Sequence, residues 1–533
     1  MHEIFADLPE ALASASEIAQ QCHFDFPLGR RRAPSLEAGG RKLQEAALRD
    51  LLAQRLPVKY GGSPEMPEAE ALRELAEQRI EQELAMVERE GLAEVFLVAR
   101  RVAAYAACGY ARYDAGGSII NYLLGVTDTD PIGCGLMSES FFEVPKGKWP
   151  SLTFEFPGGL LGGLLAELRK NYGDRSLARI ATFFHFSARS LMQLLAPDYG
   201  IDKTRALTLM PEPCAESSAL GTASPSGSAG ANADSRAADL LATVACLQDL
   251  PREPSRLEVT FLLSRNEIGQ RVPVFCSDDG EMVSQYACDD LDELGYLKFS
   301  VLSMRALSVV AGVIHGVLES KGRRIDPSSI SIEDSRAYRT LSKGDLAGFQ
   351  EFDSRRLSRI LSQLEPEDFE ELMAAVAAWR MPTQREANVF IRLVRGMTQP
   401  RSPYPLLSDL TASTYGTFIY QEQLLDAIMV LTGCKLHEAI RWSQALCRRR
   451  PGESLGQRKD FVQLVCASHE MGSSEAGQLF AEIRRAAITT SWKVHIAAQA
   501  RTLLKLAFLK AHYPQEFTLI ARKVSQAAVV YVP

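Results

Sequence analysis

The 533-residue sequence has no Cys-x-x-Cys pair; its ten cysteines stand singly between Cys22 and Cys466. That spacing argues against a zinc site and a disulfide framework and fits a reducing compartment. No apolar run approaches the ~18 residues that a membrane span requires. The opening Met1-His2-Glu3-Ile4-Phe5-Ala6-Asp7 has no basic stretch leading into an apolar one, so a secretory leader is not expected. No internal repeat is evident. What is present is ordinary globular composition, 46% hydrophobic and 23% charged, enough for roughly three folded units. The expectation is a soluble protein of the cell interior.

Charge is unevenly spread. The whole chain carries −7, yet Lys435 to Lys523 holds 15 basic and 7 acidic residues. A basic C-terminal lobe on an acidic body is compatible with a polyanionic partner, although basic residues also simply solvate helix faces.

Helical spacing dominates. Leu43, Ala46, Ala47, Leu51 and Leu52 predict a helix over Arg41–Leu56. Pro67 opens a second, whose apolar stripe runs to Gly91, and a third follows over Leu92–Cys108. At 149–157 the period changes to two. Leu152, Phe154 and Phe156 alternate with Ser151, Thr153 and Glu155, which predicts a strand with one buried and one solvated polar face. Leu257–Leu263 and Leu297–Leu302 are further strand candidates. Cys214–Ala237 is rich in Ser, Ala and Gly and reads as a flexible linker. After Leu307 the pattern is helical, with turns expected at Gly322, near Pro382, at Pro400–Pro405 and at Pro451-Gly452.

Several runs are recognisable. Arg79-Ile-Glu-Gln-Glu83 through Phe96 resembles the helix pair that opens the palm of bacterial DNA polymerase III alpha subunits. Gly116-Gly-Ser-Ile-Ile-Asn-Tyr122-Leu-Leu-Gly-Val-Thr-Asp128-Thr-Asp130-Pro is similar to that family's "GSxxxYxLGITDIDP". Tyr172-Gly-Asp through Phe183 resembles "YGEDxVAxIITF", and Thr414-Tyr-Gly-Thr-Phe-Ile-Tyr-Gln-Glu422-Gln resembles "TYGVxVYQEQ". Lys493-Val-His495 and Ala507-Phe-Leu-Lys510-Ala-His-Tyr-Pro514 are similar to "NKSHAAAY…AYLKAHYPAEF". The matches are collinear from about Glu17 to about Ala521.

The resemblance implies an α+β, mostly helical fold: a mixed-sheet palm followed by a large all-helical fingers domain. It divides the chain into an N-terminal helical segment (1–60), a first palm segment (61–213), a flexible linker with a reduced thumb (214–256), a second palm segment (257–320) and helical fingers (321–533). The family's N-terminal phosphoesterase-like domain and its C-terminal helix-hairpin-helix, clamp-binding and oligonucleotide-binding-fold regions are expected to be missing.

Nucleotidyl transfer in this family uses two magnesium ions, which demand anionic oxygen ligands. The family supplies three aspartates, in "PDxDxDF" and "LKxDFLGLRTL". The corresponding positions here are Ser151, Thr153 and Ser300, with one carboxylate, Glu155, nearby. Each change replaces a negative charge by a neutral hydroxyl, so no catalytic residue, metal ligand or cofactor is expected. The family's triphosphate-cradling Gly-Arg-Gly-Ser becomes Ala111-Arg112-Tyr113-Asp114, an arginine in "FERF" becomes Ser140, a histidine becomes Leu257, and "RPGP" becomes Arg380-Met381-Pro382-Thr383. Arg112, Lys298, Arg380, Lys493, His495 and Lys510 match the family's own residues, and Arg448-Arg449-Arg450 replaces a lysine-rich run; together they form the expected phosphate contacts.

The reading is a pseudo-polymerase of the cytoplasm and nucleoid that binds DNA, or holds an active polymerase or another replication or repair protein. Two alternatives stand beside it: a residual magnesium-dependent polymerase with a metal site rebuilt from Glu155 and acids such as Asp114 or Glu143, and a pure protein-interaction scaffold.

Overall fold

A computed structural model describes residues 7–22, 26, 28–32, 40–61, 67–105, 110–142, 144, 147–209, 231–398, 407–447, 451–469 and 471–526. Seven strands form one mixed sheet: β1 (Tyr110–Arg112), β2 (Leu152–Pro157), β3 (Leu177–His185), β4 (Pro251–Leu263), β5 (Val274–Cys276), β6 (Met282–Ser284) and β7 (Leu297–Met304), in the order β1-β2-β7-β4-β3-β6-β5. β2 runs parallel to β7 and β3 to β6; the other pairs are antiparallel. The rest is almost entirely helical, so the expected α+β fold with helical fingers is present.

After a first helix at Pro9–Gln21, three helices form where the apolar spacing places them, at Gly40–Tyr60, Pro67–Glu90 and Ala93–Tyr105. With the apolar face of the sheet (Leu152, Phe154, Phe156, Phe261, Phe299 and Val301) they enclose one core. Phe261 and Phe299 stack across it at 5.6 Å. A second and larger core joins the helix Arg305–Lys321, which leaves the end of β7, to the helices between Ser335 and Val394 and to the long helix Lys493–His512. A third lies among the helices Gln421–Thr432, Leu436–Cys447, Pro451–Ser468 and Ser473–Thr489. Trp492 packs against both helical cores.

The structure departs from the sequence reading in four places. β2 is buried along its whole length rather than on one face; it is an interior strand, paired by β1 on one edge and by β7 on the other. β1, β3, β5 and β6 carry no clean alternation and are not legible as strands. Of the linker-and-thumb stretch 214–256, the residues up to 230 lie outside the described ones. The described remainder is a helix, Ala231–Leu247, and the first half of β4. Leu240 and Val244 bury one face of that helix against Leu191, Met192 and Ala206, giving a small helical module between β3 and β4. Finally, Pro451-Gly452 opens a helix instead of making a turn, since proline fits a first helical turn; Pro400–Pro405 lies outside the described residues.

Candidate functional site

The centre of the sheet brings the degenerate positions together. Thr153 on β2 is the register partner of Ser300 on β7, and Ser300 is in turn the partner of Thr260 on β4. The hydroxyls of Thr260 and Ser300 are 2.8 Å apart. Across β2 on its other side, Arg112 of β1 stands opposite Thr153. Because side chains alternate between faces, Thr153 and Glu155 share a face with Ser300, and Phe154 and Val301 point away from it into the core.

Glu155 does not sit on the surface as expected. It is 9% exposed and Thr153 is 8% exposed, and Glu155 has an interaction partner. Ser151, one residue before the strand, is exposed. The described members of this row are three neutral hydroxyls with one carboxylate at its edge. Such a row exchanges hydrogen bonds readily but has little negative charge to set against a divalent cation. Among the described residues no three His, Cys, Asp or Glu side chains gather in a way that could hold a metal ion. Glu143 and the side chains of Asp114 and Ser140 lie outside the described residues.

The described members of the expected phosphate contacts have different surroundings. Lys298 shares the Ser300 face, but its ammonium is 2.9 Å from Asp292 and donates to the Cys288 carbonyl at 2.9 Å. Lys510 is likewise turned inward: it pairs with Asp345 at 2.9 Å, donates to the carbonyls of Asp345 and Ala347, and lies over the rings of Phe349 and Phe517. Both lysines tie local structure rather than present free charge. Arg380 is exposed at the end of the helix Phe369–Arg380, beside Trp379. Lys493 begins the helix Lys493–His512, with its ammonium 5.5 Å from the centre of the Tyr420 ring, and His495 is half-buried one residue beyond Val494. Arg448, Arg449 and Arg450, and the Arg112 side chain, lie outside the described residues.

Other residues of the recognised runs prove to be structural. Glu422 accepts the Lys493 backbone N–H on both carboxylate oxygens, at 3.0 and 2.9 Å, and so caps the long helix. Gln423 accepts from the N–H groups of Ile419 and Tyr420 and donates to the Leu410 carbonyl and to Thr414. Asp128 is the hub between the first core and the helical body: Lys505 meets it at 2.6 Å and Arg501 at 3.1 Å, and all three side chains are buried. Burial would push the Asp128 carboxyl up, but Lys505 and Arg501 outweigh it and hold it below the ordinary range. Sequence reasoning gave this triad no role. The available signal was two cations one helical turn apart, Arg501 and Lys505, inside an otherwise apolar stretch.

Comparison with known proteins places these features. Residues 46–303 match the bacterial DNA polymerase III alpha NTPase domain, and residues 306–469 match the bacterial DNA polymerase III alpha subunit finger domain. The chain is 27% identical over 526 residues to DNA polymerase III subunit alpha of Bacillus subtilis, 27% over 539 residues to that of Neisseria meningitidis serogroup B, and 24% over 541 residues to that of Escherichia coli K12. In each case 97% of this chain is aligned, and it spans 46% of the relative's length.

Proposed function

Because the chain belongs to the bacterial DNA polymerase III alpha-subunit family, we propose that it is a pseudo-polymerase: a DNA-binding factor of replication or repair that keeps the polymerase scaffold without the two-metal reaction. The observation that supports this most directly is the in-register row Thr153–Ser300–Thr260, closed by a hydroxyl–hydroxyl hydrogen bond. Thr153 and Ser300 are where the family resemblance puts metal-binding aspartates. The donor set does not fit a magnesium pair: two dications need several anionic oxygens in near-octahedral array, and hydroxyls alone do not neutralise them.

DNA is the partner the family points to, held through phosphates by Arg380, Lys493 and the arginine triplet at 448–450. Such contacts are independent of sequence and weaken with salt. An active polymerase working on the same DNA is a natural second partner. No helix among the described residues is long and apolar enough to cross a membrane, and the site of action proposed is the nucleoid.

The test is a pair of assays on the full chain. Primer extension with magnesium or manganese is expected to give no product. DNA binding is expected to fall linearly in log affinity with log salt, with a shallower slope in R448A/R449A/R450A. Extension that chelation or Glu155→Gln abolishes would establish the residual polymerase instead. No DNA binding at low salt would leave the protein-scaffold reading.

A further inference from the structure

A second polar feature lies at the far end of β7 from its helix. Arg32, Ser264, Arg265, Asn266, Glu267, Arg271 and Tyr296 line one pocket. Tyr296 precedes Ser300 by four residues, roughly 13 Å at the strand rise, so the pocket is separate from the hydroxyl row. Its wall is built. Ile268 and Val272 are buried anchors of the 264–272 turn, which is closed by the N–H groups of Arg271 and Val272 donating to the Ile268 carbonyl and by Ser264 N–H donating to Ser176 at 2.9 Å. Arg32 comes from the opposite side, fixed by its backbone N–H to Gly295 at 2.7 Å and its Nε to Leu294 at 3.1 Å. Its guanidinium lies 5.4 Å from the centre of the Tyr296 ring.

Three arginines therefore line one small opening, Arg265 and Arg271 on the exposed side of the turn. Among the described residues, neither Arg265 nor Arg271 makes a side-chain hydrogen bond or an ion pair. The one carboxylate in the wall, Glu267, is paired outward with Arg175 at 3.3 Å. Burial raises the Tyr296 phenol, and the positive charges of Arg32 and Arg271 pull it the other way. Three like charges facing a single carboxylate that is shared with Arg175 repel one another, so the arrangement favours an anion that bridges them. The pocket, about 40 Å³, has room for a few waters or a small ion. A small oxyanion fits such a space.

We propose that this pocket binds a single phosphate group, gripped by Arg32, Arg265 and Arg271, with the Tyr296 and Ser264 hydroxyls as further donors. Guanidinium forks match phosphate oxygens in pairs, and the group is either free inorganic phosphate or the terminal phosphate of a nucleic-acid strand. The site is distinct from the hydroxyl row and does not depend on whether the chain extends primers.

Calorimetric titration of the full chain with inorganic phosphate at low salt tests it. Saturable binding is expected, weakened at least about tenfold in Arg265→Ala and Arg271→Ala, strengthened in Glu267→Gln, and unchanged in Arg205→Ala, an exposed arginine elsewhere. Matching melting curves for the four variants exclude unfolding as the cause. Absence of saturable binding at ~10 mM phosphate, or equal weakening by Arg205→Ala, overturns the site. Single-stranded oligonucleotides with and without a 5′-phosphate then identify the source. A phosphate-dependent gain that Arg271→Ala removes assigns the pocket to strand ends; equal binding of the two, with inorganic phosphate still bound, supports the free anion.

Discussion

Thr153 and Ser300 stand side by side in register on two parallel strands, near the centre of the sheet. Neighbouring strands lie about 4.8 Å apart, so carboxylates at these positions would reach one ion between them. The triple variant S151D/T153D/S300D is therefore expected to bind manganese where the wild type does not, detected by loss of the free-ion paramagnetic signal. Without metal it should be less stable by about 2–4 kcal/mol, because like charges are brought together at partly buried sites, and manganese should restore the loss. A folded triple variant that binds no more manganese than the wild type would mean that these side chains do not converge.

The Asp128–Arg501–Lys505 triad makes acid a specific threat. The Asp128 carboxyl is held below its ordinary range by two buried cations that outweigh its desolvation. Its contribution to stability is thus complete above the unfolded value of ~3.9 and is lost as pH falls through the lower folded value. Asp128→Asn leaves Arg501 and Lys505 buried without a counter-charge and is expected to cost about 3–5 kcal/mol at neutral pH. It should also flatten the acid limb of stability against pH. Denaturant melts of both proteins from pH 7 to pH 3 provide the measurement.

Lysines that look alike in the sequence should behave differently. Lys510 and Lys298 are held by Asp345 and Asp292 and by backbone carbonyls. Lys510→Ala and Lys298→Ala are expected to lower stability by about 1–3 kcal/mol and to leave the salt dependence of DNA binding as it was. Exposed Arg380 is the converse case: Arg380→Ala should barely move the melting temperature yet reduce the salt slope by about one unit. Salt titrations of DNA affinity beside thermal melts separate the two classes.

What the sequence disclosed follows from which patterns are local. The helices at 40–60, 67–90 and 93–105 declare themselves because a 3.6-residue stripe spans many turns, and β2 and β7 because Phe154, Phe156, Phe299 and Val301 alternate. β3 did not, since Leu177–His185 is covered on both faces at one end and exposed at the other, which erases the alternation. The burial of Glu155 was equally invisible: β1, which pairs with its strand, arrives from forty residues upstream. Matched sequence also could not disclose what holds Lys298 and Lys510 in place. The partner of each, Asp292 or Asp345, is brought close only by folding.

Glu83 shows how far the same scaffold is organised around buried carboxylates. It is fully buried and accepts from the Ser118 hydroxyl at 2.6 Å, from the N–H groups of Ile119 and Ile120 at 3.0 and 3.3 Å, and from Arg79 at 3.2 Å. Burial pushes its carboxyl up, and these four donors only partly offset it. The donors include the first N–H groups of the helix Ile119–Leu123, which have no partner within that helix. Glu83→Gln keeps the shape but turns an amide N–H₂ toward donors, so about 2–4 kcal/mol of stability should be lost. Ser118→Ala removes one donor and should cost about 1 kcal/mol. In the double variant the two losses should fall short of their sum, because part of what Glu83→Gln disrupts is already gone. Additive losses in urea melts of the four proteins would show that Glu83 and Ser118 act independently and that the carboxylate is not what fixes this helix.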